Sequence, residues 1–182
     1  MGIKAVTPGK RGKIGLSWLI APHRTQKTGH TKDGVMLIGL PAILGPDLLY
    51  TLRAMGHGDE IALVDGNYPA QAEARRLVRA DGHGLIAMLD AILLLLPLDR
   101  ATSHAIFRAS LNNDAAQRGS IHDQIDAACF ARAPAYSVQP LSGADLYPRI
   151  RLAHTVVATS ETALFANVIL RKGVIGAGMQ PL

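Results

Sequence analysis

The chain has 182 residues, 48% of them hydrophobic and 18% charged, with a formal net charge of +5. That length suits one domain with a real core. One Trp, four Tyr and three Phe are too few for the base-stacking platforms of a single-stranded nucleic-acid binder. The charge is uneven: residues 1–35 carry seven Lys or Arg against one acid, Asp33, so the basic excess says little about the rest of the chain.

Residues 1–35, rich in Gly, Lys and Thr and without a sustained period, read as a disordered basic extension. The apolar run in "KRGKIGLSWLIAPH" imitates a secretory signal. However, it is short, contains Gly15 and Ser17, and ends without a small-residue cleavage site. "MGIKAV" lacks the Ser or Thr of a myristoylation signal. With "LIAMLDAILLLLPL" interrupted by Asp90, no membrane span is expected, and the protein reads as cytoplasmic.

The body runs over residues 36–176, with 177–182 as a tail. "GPDLLYTLRAMGHG" predicts a helix with Leu48, Leu49, Leu52 and Met55 on one face and Gly56 ending it. "EIALVD" predicts a buried strand, followed by the turn "GNYP". "AQAEARRLVRADG" reads as helix or loop, and "GHGLIAMLDAILLLLPL" as an apolar helix ending at Pro97. "HAIFRASL", "AYSVQPL", "HTVVATS" and "ANVILRKG" predict strands, "GSIHDQIDAACFAR" a helix, and "SGADLYPRIRLA" a loop or broken helix. Alternating strands and helices give the α/β class.

Chemistry-bearing residues are few. Cys129, the only cysteine, excludes an intramolecular disulfide and a Cys-based zinc site, and "DAACFARA" gives it no activating pattern. His57, between two glycines, reads either as an exposed turn residue or as an acid/base group aimed into a cleft. Asp65, at the end of a buried strand, reads either as an Asx-turn residue or as a ligand-binding group, and Asn67 shares that ambiguity. Asp59 and Glu60 beside His57 lack the spacing of a metal motif and read as solvated or capping groups. Arg79 and Asp81, near His83, read as a structural ion pair. The chain has no GxSxG, HExxH or GxGxxG, and composition and motifs alone select no reaction.

"LLYTLRAMGHGDEIALVDGNYPA", "RADG" and "ATSETALFANVILRKGVI" together resemble the L-fucose mutarotase / D-ribose pyranase family, over roughly residues 36–175. The resemblance implies a compact single-domain α/β sandwich that assembles into rings, often stacked as a decamer, with active sites at subunit boundaries. It implies interconversion of the anomers of a free reducing sugar such as L-fucose, or of its pyranose and furanose forms, with neither metal nor nucleotide cofactor. By resemblance His57 transfers protons, and Asp65, Phe165 and Asn167 contact the sugar, with Asn67, Tyr147 and Arg149 as further candidates. The chain departs from the family pattern in three places. Phe165 stands where a tyrosine is usual, Gly143 stands by ungapped count where fucose-type members have an arginine, and Asn67 stands where some members have a histidine. Phe165 and Gly143 leave open an alternative, a non-catalytic sugar-binding or regulatory protein on the same fold.

Overall fold

The structure is a computed structural model that describes residues 1–2 and 37–176. The expected basic extension, apart from its first two residues, and the tail at 177–182 lie outside the described residues. In chain order the elements are α1 (Pro46–Ala54), β1 (Glu60–Val64), α2 (Ala70–Glu73), β2 (Leu77–Ala80), α3 (Leu85–Leu95) and β3 (Ile106–Arg108). A single 3-10 turn follows (Leu111–Asn113), then α4 (Ser120–Arg132), β4 (Val138–Pro140), α5 (Gly143–Leu152), β5 (Thr155–Thr159) and β6 (Val168–Arg171).

The strands form one six-stranded sheet in the order β2-β5-β1-β6-β3-β4. β1 lies at its centre, parallel to β5 and antiparallel to β6. β5 is buried along its whole length and β1 from its second residue onward, as expected for strands covered on both faces. Because side chains alternate across a strand, Ile61 and Leu63 pack on one face with Leu48 and Leu52 of α1, Leu85, Leu89 and Ile92 of α3, and Ile125 of α4. Ala62 and Val64 pack on the other face with Ala70 of α2 and Leu146 and Ile150 of α5. The result is a three-layer α/β sandwich.

Two segments differ from their sequence reading. Residues 70–80 are neither one helix nor loop: a single turn, α2, is followed by strand β2, paired in parallel with β5 from Leu77↔Val156 to Ala80↔Thr159. The run "LVRA" is too short and too polar to read as a strand by itself. Its pairing is set by the fully buried β5 beside it. "SGADLYPRIRLA" holds an unbroken helix, α5, with Pro148 inside it. Ser142 caps it by accepting from the Asp145 amide, and the buried Leu146 and Ile150 hold it on the sheet on either side of the hydrogen bond that proline removes.

No helix among the described residues is long and apolar enough to cross a membrane. Cys129 is a buried free thiol, and burial pushes its pKa up to about 12.

Candidate active site

The register of the central strands builds the site. Leu63 of β1 pairs with Val168 of β6, so Asn167, entering β6, lies beside the chain that leaves β1. Asp65 is the first residue beyond β1 and is buried. Its backbone N–H donates to Asn167 Oδ1 at 3.2 Å, and Asn167 Nδ2 donates to Asp65 Oδ2 at 3.3 Å. The Asn67 amide donates to the other carboxylate oxygen, Oδ1, at 2.9 Å, so Asp65 does close an Asx turn. The same carboxylate also opens onto a cleft of about 320 Å³, lined by Asp65, Asn67, Phe165 and Asn167 together with Tyr147 and Tyr68. The Asx-turn reading and the ligand reading of Asp65 are therefore compatible.

Burial raises the Asp65 pKa above the ordinary carboxylate value, partly offset by the hydrogen bonds from Asn67 and Asn167. Burial, followed by the neighbouring Asp65 charge, likewise raises the Tyr147 phenol. Tyr147 stacks on Tyr68, with ring centroids 6.2 Å apart. Phe165 has φ = 61°, a left-handed conformation that is costly for a residue with a side chain.

Glu73, Arg151 and Leu164 also line the cleft, and Arg151 is ion-paired with Glu73. Sequence reading missed these three and Tyr68. The signal for Arg151 is its spacing: residues four apart on a helix share a face, so Tyr147 and Arg151 of α5 both reach the cleft. Arg149, two residues from each, does not join them. It binds Glu60 through Nε at 2.8 Å and lies 3.6 Å over the Phe107 ring. Gly143 also cannot carry an arginine as the chain stands, because a Cβ there would lie 2.5 Å from Asn113 Oδ1.

His57 lies elsewhere. It precedes β1 while Asp65 follows it, and five strand residues at about 3.3 Å each separate the two ends by about 16 Å. A single chain therefore does not bring His57 and Asp65, the proton-transfer and sugar-contact candidates, into one pocket. His57 Nε2 lies 3.3 Å from Asp99 Oδ1, with 51% of the histidine side chain exposed and 3% of the aspartate. Asp99 also accepts from the Ala101 amide at 2.9 Å and from Arg171 Nε at 3.0 Å. The Ala101 bond first, then Arg171, holds the Asp99 carboxyl below its ordinary value, so it stays an anion beside His57. Asp99 was missed too, although it follows an apolar run, "LLLLPLD", much as Asp65 follows "IALV".

Asp59 accepts from the Gly56 amide at 2.7 Å, closing the turn that carries His57, and Glu60 is ion-paired with Arg149 and Arg171. Arg79 and Asp81 form an exposed pair at 2.7 Å. No cluster of three or more His, Cys, Asp or Glu placed to hold a metal ion occurs among the described residues.

Known proteins share this arrangement of sheet and helices. The fucose mutarotase of Homo sapiens is 39% identical over 147 residues, covering 78% of this chain and 96% of the human one. The L-fucose mutarotase of Haemophilus influenzae (strain 86-028NP) is 33% identical over 140 residues, covering 76% and 97%. A crystal structure of the fucose mutarotase from Streptococcus pneumoniae in complex with L-fucose superposes with a TM-score of 0.71 at 37% identity, over 77% of this chain and all of that one. The model of the RbsD / FucU transport protein family matches residues 38–175, which hold every strand and helix of the sandwich, and the chain belongs to that family.

Proposed function

We propose that the protein is a monosaccharide mutarotase of the fucose mutarotase type, which speeds interconversion of the anomers of a free reducing sugar. The observation that carries the reading is the buried, reciprocally hydrogen-bonded Asp65–Asn167 pair at the floor of a cleft sized for one sugar ring. A carboxylate offers strong acceptors to vicinal hydroxyls and an amide both donates and accepts, which is the chemistry a monosaccharide asks for. Tyr68 and Tyr147 supply apolar ring faces with polar edges.

Mutarotation needs little more than placed acid/base groups. A base removes the proton from the anomeric hydroxyl, the bond from the anomeric carbon to the ring oxygen breaks, and an acid protonates that oxygen as the carbonyl forms. Rotation and reclosure on the other face reverse the two proton transfers. His57 takes the proton-transfer role, with Asp99 orienting its ring. Since His57 and Asp65 lie at opposite ends of β1, a working site needs the His57 end of one subunit against the Asp65 cleft of another. The exposed Leu164 at the cleft mouth, and Leu152 and Phe130 elsewhere on the surface, supply apolar area for such contacts. The protein then works as a ring-shaped homo-oligomer, a decamer when rings stack, in the cytoplasm.

Sugar binding without catalysis is a second reading, favoured by Phe165, which presents a bare ring where the family pattern has a hydroxyl. Saturation-transfer NMR on L-fucose, D-ribose, L-rhamnose and D-galactose separates the two. A mutarotase speeds anomer exchange of at least one of them, whereas a binding protein shifts resonances and leaves exchange at the solution rate.

A further inference from the structure

The backbone of Phe165, at the cleft wall, is contacted from behind by a histidine that does not line the cleft. His122, in the first turn of α4, is completely buried. Its Nδ1 accepts from the Gly119 amide at 2.8 Å, which requires that nitrogen to be unprotonated. Its Nε2 lies 3.1 Å from the Phe165 carbonyl oxygen, which can only accept. Both partners therefore demand the same state, a neutral imidazole carrying its proton on Nε2. Burial, the largest influence, pushes the His122 pKa below its ordinary value, and the nearby Arg108 and Arg118 act in the same direction. The Phe165 carbonyl and Asp126 oppose this. Arg108 and Arg118 are themselves tied to Asp126, so the charges around the ring are held in place.

Phe165, with φ = 61°, lies two positions before Asn167. A left-handed residue persists only where its surroundings fix it. The Asn167 carbonyl is already fixed by the Ala109 amide at 2.8 Å, and His122 supplies the matching hold on the other side of Ala166. We propose that His122 is a positioning residue for the sugar site: its Nε2–H···O=C bond locks Phe165 in the left-handed conformation, which aims the Phe165 ring and the Asn167 amide into the cleft. The proposal rests on the mutarotase reading of that cleft.

Two conservative variants split the imidazole's roles. Asn at this position places a polar atom where Nδ1 sits and keeps the acceptor for Gly119. Gln reaches to where Nε2 sits and keeps the donor to Phe165. Anomer exchange is measured on the full chain with L-fucose, or with whichever sugar the parent exchanges fastest. His122→Asn should raise KM about 10- to 100-fold and shift the Asn167 side-chain amide resonances, while His122→Gln stays within about threefold of the parent. Equal behaviour of the two variants, or loss in Gln with retention in Asn, overturns the proposal and confines His122 to capping α4. Asn167→Ala is the control for the underlying reading. If it exchanges sugar at the parent rate, the cleft is not the sugar site and both readings fall. If it loses exchange while the His122 variants match each other, only the proposal for His122 falls. Should the Asn variant not fold, the parent still decides, because nitrogen NMR of the imidazole must show the proton on Nε2 at neutral pH. A proton on Nδ1 overturns the proposal.

Discussion

The two ends of β1 carry opposite kinds of polar group. At the carboxyl end Asp65 is 5% exposed and Asn167 2%, each hydrogen-bonded to the other, with the strained Phe165 beside them. At the amino end the His57 ring is half exposed and meets one buried anion, Asp99. The first end is preorganised and lies in a cleft; the second carries a titratable ring held at one nitrogen and open at the other. Rigid recognition groups and an acid/base ring are the two ingredients of catalysis on a bound sugar, and the fold keeps them at opposite ends of one strand. On the proposed mechanism, that separation makes a complete site the work of two subunits.

The sharpest way to break this comparison is to remove the open end alone. His57→Ala should lower the rate of anomer exchange about 10²- to 10⁴-fold while leaving sugar binding and the thermal melt close to the parent, since an exposed side chain contributes little to the fold. Exchange at the parent rate would remove His57 from the mechanism. A smaller effect is expected one step back. Asp99→Asn keeps the shape but not the charge beside His57, so exchange should fall about tenfold with KM nearly unchanged. A change confined to KM would instead place Asp99 in sugar binding.

At the closed end, Phe165→Tyr adds one hydroxyl at the cleft wall. It should raise exchange a few-fold for at least one deoxyhexose or pentose, with the gain abolished in a protein that also lacks His57. Lower exchange with every sugar would mean that the bare ring is matched to its substrate.

The smallest effect concerns stability. His122 in the unfolded chain takes a proton below about 6.5, whereas the folded protein resists it until lower pH. Stability is therefore full above that value and falls as pH drops from about 6.5 through the depressed folded pKa. His122→Gln, which cannot titrate, should flatten this part of the curve in denaturant melts at several pH values, and an unchanged slope would show that another group is responsible.

Much of this was legible in the sequence, for identifiable reasons. β1 and β5 announce themselves because both faces are buried and their centres, "IALV" and "VVA", are apolar. α3 does so because eleven residues rich in Leu, Ile and Ala end ahead of a proline. Strand β2 was illegible because four mixed residues owe their pairing to β5, a partner nearly eighty positions away. α5 was obscured by Pro148, whose cost is met by burial that no local window reveals. At the site, Asp65 and Asn67 could be singled out from strand-end chemistry, and Phe165 and Asn167 from the resemblance. Asp99 and Arg151 left only faint signals, an apolar run and a four-residue spacing from Tyr147, and Tyr68 and His122 left none, because each owes its place to a tertiary neighbour rather than to a motif.

The claim that a working site takes its two ends from two subunits can be tested by complementation. His57→Ala and Asn167→Ala chains, each nearly inactive alone, are co-expressed with different tags, the mixed oligomers are isolated through both tags, and anomer exchange is measured by saturation-transfer NMR. With the His57 end of one chain facing the cleft of another, random mixing leaves about a quarter of the sites with both ends intact, and about a quarter of the parent rate should return. Mixed oligomers no more active than either variant alone would contradict a shared site.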